Sequence, residues 1–154
     1  MKTIDKTKPV MVTGATGYVA GWIVKKLLEE GITVHAAVRD PENKEKLKYL
    51  FELADKSKGK IKFFKADLLE KGSYLEAMKD CELVYHTASH FINVVKDPQK
   101  DLVDHALLGT RNVLESVNNN NSVKRVVLTS SCAAILGDTK DLLALPNGTA
   151  TEEH

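Results

Sequence analysis

The chain has 154 residues, 43% apolar and 28% charged, which suffices for one domain with a hydrophobic core and is too short for two ordinary ones. With 22 basic against 21 acidic residues the formal charge is +1, so no basic excess marks a nucleic-acid binder, and no apolar run is long enough to span a bilayer. Residues Met1 to Lys6 lack the apolar stretch of a secretion signal, and Cys81 and Cys132 form neither a CxxC nor a zinc spacing; a reduced cytoplasmic protein with free thiols and no metal is expected.

Val10 to Thr13 reads as a first strand. A helix follows from Gly17 to Glu30, with Val19, Ile23, Leu27 and Leu28 as its apolar face and Gly31 as its stop. Ile32 to Val38 predicts a second strand, Glu42 to Lys56 a charged second helix, and Ile61 to Lys65 a third strand. Ser73 to Met78 is a short helix, Leu83 to His86 a fourth strand, Asp101 to Val117 a long helix and Arg125 to Thr129 a fifth strand. Short apolar strands alternating with helices predict a parallel sheet covered on both faces. Right-handed crossovers then give an α/β doubly wound Rossmann fold, in the order 3-2-1-4-5, with a ligand crevice at the carboxyl ends of strands 1 and 4. Asn118 to Asn121 reads as the solvated end of the long helix. Beyond Thr129 the pattern loosens, and Asn147 to His154 closes no element.

The chemistry concentrates in Val12-Thr13-Gly14-Ala15-Thr16-Gly17-Tyr18-Val19-Ala20, between the first strand and first helix. Gly14 permits a tight turn, Gly17 leaves the helix N-terminus open to a pyrophosphate, and Ala20 lets helix pack closely on strand. Free N–H groups and the helix dipole attract negative charge there. About twenty residues later comes Val38-Arg39-Asp40. An acidic residue at that strand end would bond a ribose 2′-hydroxyl and suit NAD, whereas an arginine accommodates the 2′-phosphate of NADP. Arg39 comes first and Asp40, before Pro41, reads equally as a turn or cap residue, so NADP is favoured and NAD is the alternative.

TGxxGxxA at Thr13–Ala20, together with Ala66-Asp67-Leu68, His86-Thr87-Ala88-Ser89, Gly109-Thr110-Arg111-Asn112-Val113-Leu114 and Val127-Leu128-Thr129-Ser130-Ser131, resembles the extended short-chain dehydrogenase/reductase family. Within it, the chain is most similar to the dihydroflavonol 4-reductase, cinnamyl-alcohol dehydrogenase and cinnamoyl-CoA reductase group of NAD-dependent epimerase/dehydratase relatives, from about Lys8 onward. The resemblance implies a cofactor site built from Thr13, Gly14, Thr16, Gly17, Tyr18, Val19, Arg39, Asp67, Leu68, Thr87, Ala88 and Ser89. It places Asp67 and Leu68 beside adenine, Thr87 to Ser89 on the nicotinamide side, and Ser131, or its neighbour Ser130, on the substrate carbonyl as the catalytic serine. Simpler readings stand beside these: Asp67 as a turn cap, and residues 87–89 as small groups suited to a crowded strand end.

The family's proton donor is the tyrosine of a YxxxK motif, whose lysine lowers the phenol's pKa. Tyr18, Tyr49, Tyr74 and Tyr85 all precede Ser131, and none begins such a motif. Thr151-Glu152-Glu153 resembles the acidic stretch that precedes the family's substrate-binding continuation, so residues 1–154 are expected to be one incomplete NAD(P)-binding domain. The resemblance implies hydride transfer between NADPH and an aldehyde or ketone in a complete enzyme, with a homodimer left open. The chain alone is expected to bind dinucleotide without appreciable turnover. A non-catalytic dinucleotide sensor or interaction module, or an inert fragment prone to aggregate through its open sheet edge, is the alternative. Departures from the family pattern are His90, where relatives usually carry proline, His105, where they often do, and Leu136, where they often carry tyrosine.

Other constellations read as structural. His86 and His90 are four apart, but one ends a strand and the other sits in a loop. His35 is a packed or half-exposed strand residue, and His105 with Asp101 and Asp104 is polar helix surface. Trp22 is expected in the core or in a packing contact, the lysines between Lys44 and Lys65 on a solvated face, and Cys132 as a small hydrophobe.

Overall fold

The computed structural model describes residues 3–90, 92, 94–135 and 137–151. Leu136, Glu152 and Glu153, singled out above, lie outside the described residues, as does His154. The elements are β1 (Val10–Thr13), α1 (Tyr18–Glu29), β2 (Val34–Val38), α2 (Lys44–Asp55), β3 (Ile61–Lys65), α3 (Leu75–Met78), β4 (Leu83–His86), a π-helical turn (Gln99–Asp104) running into α4 (His105–Asn118), β5 (Arg125–Leu128), α5 (Cys132–Ile135), α6 (Thr139–Leu143) and a 3₁₀ turn (Pro146–Gly148). The five strands form one sheet in the order β3-β2-β1-β4-β5, every pair parallel. This is the doubly wound Rossmann arrangement expected from the alternation of strands and helices.

Side chains that alternate along the strands feed two cores, one on each face of the sheet. Val12, Val34, Ala36 and Val38 pack with Ala20, Val24 and Leu28 of α1 and Leu47 and Leu50 of α2. Met11, Ala37 and Val84 pack on the other face with Tyr74, Ala77 and Met78 around α3 and with Val113 of α4. The sheet register aligns Thr13 with Ala37 on one side and with His86 on the other. The carboxyl ends of β1, β2 and β4 therefore meet at one level, and the crevice opens there.

Several expectations are corrected. The face that α1 buries is Ala20, Val24 and Leu28, spaced four apart, with Ile23 and Leu27 half-buried beside them. Val19 points outward, and Trp22 is half exposed with the Lys25 ammonium 5.0 Å from its ring centroid. Ile32 and Thr33 belong to the turn before β2. The long helix opens with a π-helical turn, and Asp101 Oδ2 within it accepts from the N–H groups of Lys96 and Asp97 just before it. Asn120 organises the link to β5: its Oδ1 accepts from Ser122 N, Ser122 Oγ and Val123 N. After β5 the loosened pattern resolves into two short helices and the 3₁₀ turn, which takes in Asn147 and Gly148. Cys132 is exposed, and Cys81 is the buried thiol.

Candidate functional site: the crevice at the strand ends

The glycine turn is shaped by one backbone approach. Gly14 sits at φ +62°, a conformation that disfavours any side chain, and a Cβ built there would lie 3.0 Å from Ala88 Cα. Its N–H donates to Ala37 O at 3.1 Å, and Gly17 N donates to Gly14 O at 2.8 Å, closing a tight loop onto the first turn of α1. Gly17 is the N-cap of α1 and supplies no capping side chain, so the amino end of a twelve-residue helix faces the crevice with its attraction for anions unspent.

Beneath the turn Thr13, fully buried, ties β1 to the segment after β4. Its hydroxyl oxygen accepts from Thr87 N at 3.1 Å and Ala88 N at 2.9 Å, and Thr87 Oγ1 donates to Thr13 O at 2.6 Å. The remaining hydroxyl proton points to His86 Nδ1 at 2.9 Å, which makes that nitrogen the acceptor. Thr13 therefore holds the crevice wall from behind.

A second tie fixes the other wall. Asn112 of α4 donates through Nδ2 to the carbonyls of Asp67, Leu68 and Glu70, and its Oδ1 accepts from Gly72 N. A Cβ on Gly109 would meet Leu68 Cβ at 3.1 Å, so the absence of a side chain there lets α4 close on Leu68. The Gly109–Leu114 motif thus positions the Asp67–Leu68 loop. Asp67 Oδ1 accepts from Leu69 N, the turn-capping role set out as an alternative, while the residue also lines the crevice. Asp40 caps a turn as well, accepting from Glu42 N.

The cavity between these walls has a volume of about 550 Å³, within the range of cofactor sites. Among its lining residues are Gly14, Thr16, Gly17, Arg39, Asp67, Leu68, Thr87, Ala88 and Ser89. Nine candidates scattered from position 14 to 89 are thus brought to one surface. Arg39 stands exposed at the end of β2, on the same side as Asp67. Three candidates are not brought there by their side chains: Thr13 lies underneath, and Tyr18 and Val19 project from the outer side of α1 into shallow apolar depressions beside Trp22. Ser131 is also apart. Its Oγ accepts from Ala133 N, and both it and Ser130 are exposed beyond the end of β5, the edge strand. The sequence reading missed Tyr74, His90 and His105, which also line the cavity. The two histidines stand out in the sequence as departures from the pattern it resembles, and Tyr74 as an aromatic residue at the start of a short helix.

Those sequence motifs, now assembled at the carboxyl ends of a parallel sheet, match a sequence model over residues 10–153. The chain belongs to the NAD dependent epimerase/dehydratase family. It is 52% identical over 126 residues to the cinnamoyl-CoA reductase CAD2 of Medicago truncatula, covering 82% of this chain and 38% of that protein. Against a dihydroflavonol 4-reductase of Solanum lycopersicum the identity is 42% over 130 residues, 84% of this chain and 34% of the relative. In structure it resembles the yeast methylglyoxal/isovaleraldehyde reductase Gre2 complexed with NADPH, with a TM-score of 0.68, 34% identity, and coverage of 82% of this chain and 38% of that one. The chain therefore spans little more than a third of the length of these relatives. Among the described residues no helix is long and apolar enough to cross a membrane.

The two buried imidazoles carry a pH prediction. Burial pushes His86 below the usual histidine range, and burial does the same to His35, whose Nδ1 donates to Ala77 O at 2.9 Å. Both are held neutral in the fold and take up protons freely once unfolded. The unfolded chain then binds more protons below about pH 6.5, so stability falls as pH drops through that value, by up to about 1.4 kcal/mol per pH unit for each imidazole. Urea denaturation at pH 7.5 and 5.5 checks this: the midpoint should be lower at pH 5.5, and replacing His35 by Gln should shrink the difference. Cys81 lies beside His35, its Sγ 3.4 Å from Nδ1, its thiol pushed up to about 12 by burial and, secondarily, by Asp80, so it is an inert core group.

Proposed function

We propose that this chain is the NADP(H)-binding portion of a carbonyl reductase of the extended short-chain type, which in its complete form transfers hydride between NADPH and an aldehyde or ketone. The observation that carries the reading is the crevice itself: a glycine turn that a Cβ would block, an uncapped helix N-terminus and a guanidinium at the next strand end share one cavity. Gly14, Thr16 and Gly17 would hold the pyrophosphate, Arg39 the 2′-phosphate, Asp67 and Leu68 the adenine side, and Thr87, Ala88 and Ser89 the nicotinamide side. NADPH, when bound, supplies the hydride. The chain's own contribution is to bind and orient, with Thr13 and Asn112 fixing the two walls so that little ordering cost remains at binding.

Ser131 is proposed to polarise the substrate carbonyl in the complete enzyme. In this chain its hydroxyl caps the start of α5, and none of the four tyrosines stands in a YxxxK. That combination favours binding without turnover by these 154 residues, and a dinucleotide-responsive module is the second reading it supports.

The test is a calorimetric titration of NADPH and then NADH into the purified chain. Saturable NADPH binding tighter than NADH binding is expected. Replacing Arg39 by Ser should weaken NADPH about tenfold and leave NADH nearly unchanged, since a charge-assisted bond to a phosphate contributes about 1.5 kcal/mol. Equal losses for both dinucleotides would assign Arg39 to adenine stacking; no binding by a folded chain would sink the reading.

A further inference from the structure

Two side chains on the crevice rim remain without a role. His90, just beyond the Thr87–Ser89 segment, stacks on His105, the first residue of α4, with ring centroids 4.4 Å apart and planes 22° from parallel. Both are half-buried and both line the cavity. His105 Nδ1 lies 2.6 Å from Lys100 O. A carbonyl only accepts, so Nδ1 carries the hydrogen and Nε2 is the nitrogen left to gain or lose a proton. Protonation at Nε2 keeps the bond to Lys100 and adds a donor and a positive charge at the mouth of a cavity built for an anion.

We propose that His90 and His105 form a proton-responsive pair that contacts the dinucleotide, so that cofactor binding is accompanied by proton uptake on these imidazoles. This rests on the crevice being the NADP(H) site. Two stacked imidazoles 4.4 Å apart resist carrying two positive charges together, whereas a nearby diphosphate favours at least one. The charged neighbours are mixed. Asp101, on the π-helical turn, interacts electrostatically with both rings; it is held below the usual carboxylate range first by the N–H groups of Asp97 and Lys96, with His105 and His90 adding to them. Asp104 and Lys100 flank it on the same turn, Lys96 and Asp97 stand on the loop leading in, and Arg39 and Asp67 line the same cavity. Asp101 supplies one negative charge, and NADPH, whose reduced nicotinamide is uncharged, would supply more through its phosphates, so binding raises the affinity of the pair for protons and lower pH strengthens binding.

The experiment is calorimetry with NADPH at pH 6.0, 7.0 and 8.0 on the full chain, on His105→Asn and on the His90→Asn/His105→Asn double variant. Each titration is repeated in two buffers of different ionisation enthalpy, which reports protons taken up. The 2′-phosphate titrates near pH 6 on its own, and comparing chain with variant cancels that contribution. The ratio of wild-type to double-variant affinity should rise about five- to tenfold from pH 8 to pH 6, with proton uptake smaller in the variant than in the wild type. His105→Asn, which keeps a donor toward Lys100, should lose most of the effect while melting at an unchanged temperature. A ratio that is constant with pH, or proton uptake that is the same in the chain and the double variant, overturns the proposal while leaving the cofactor site standing. No binding at any pH by a folded chain overturns the cofactor reading and this inference together.

Discussion

Gly17→Asp is expected to abolish measurable NADPH binding, with a loss of about a hundredfold or more, while leaving the chain folded. Gly17 adopts φ −78° and ψ 161°, extended backbone open to any residue. An added Cβ would meet only Gly14 O, at 3.2 Å, a contact relieved by a shift of a few tenths of an ångström. As the N-cap of α1 it now offers no side-chain acceptor, and aspartate is among the preferred residues there. The fold should therefore lose little and gain a cap. The same carboxylate would occupy the N–H groups meant for an anion and set a negative charge against a second one. Like charges 4 Å apart repel by about 1 kcal/mol in water and about 4 kcal/mol at a partly buried site. Adding the lost helix-end attraction passes the roughly 2.7 kcal/mol that a hundredfold loss requires. Gly14→Ala should fail differently: the left-handed φ and the 3.0 Å approach to Ala88 Cα strain the fold itself, lowering the melting temperature along with binding. Calorimetry beside thermal denaturation separates the two, and retained NADPH affinity in Gly17→Asp would remove the helix N-terminus from the site.

The contrast between these glycines marks what could be read in the sequence. Strand order and the meeting point of the crevice follow from alternating apolar strands and helices, because parallel connection and right-handed crossover leave few topologies. The residues that touch the cavity through backbone or short side chains, Gly14, Gly17 and Thr87 to Ser89, sit at strand ends whose positions those rules fix. Residues that act from behind were harder. Asn112 belongs to a motif that signalled family membership, yet its task of holding the 67–72 loop depends on a contact about forty positions away. His90 and His105 were read separately as loop and helix surface because no local periodicity links positions fifteen apart across a π-helical turn. The apolar face of α1 was misjudged by one position. The glycine-turn motif already sets Ala20 against the strand, whereas the stripe that starts at Val19 does not; the closeness of α1 to β1 selects the smaller side chain for the inside.

Thr13→Val should be among the most damaging single changes in the chain, lowering stability by about 2–4 kcal/mol. Valine matches threonine in shape, so the packing of residue 13 within the sheet is kept and the hydroxyl alone is removed. That hydroxyl serves three partners at once: it accepts from Thr87 N and Ala88 N and donates to His86 Nδ1. His86 is fully buried, so its ring nitrogen would be left without a donor, and two backbone N–H groups at a half-buried strand end would lose their acceptor. Each such orphan costs about 1–3 kcal/mol when shielded from water, less where water can reach it. The Thr87–Ala88 segment would then move away from β1, carrying with it the backbone that packs against Gly14. Denaturant melts should show the lower midpoint, and NADPH affinity should fall in the fraction that remains folded although residue 13 reaches the cavity with no side-chain atom. Thr13→Ser, which restores the hydroxyl and drops only a methyl group, should recover most of both. If valine weakens binding while stability stays unchanged, Thr13 touches the cofactor directly and the role assigned to it beneath the crevice is wrong.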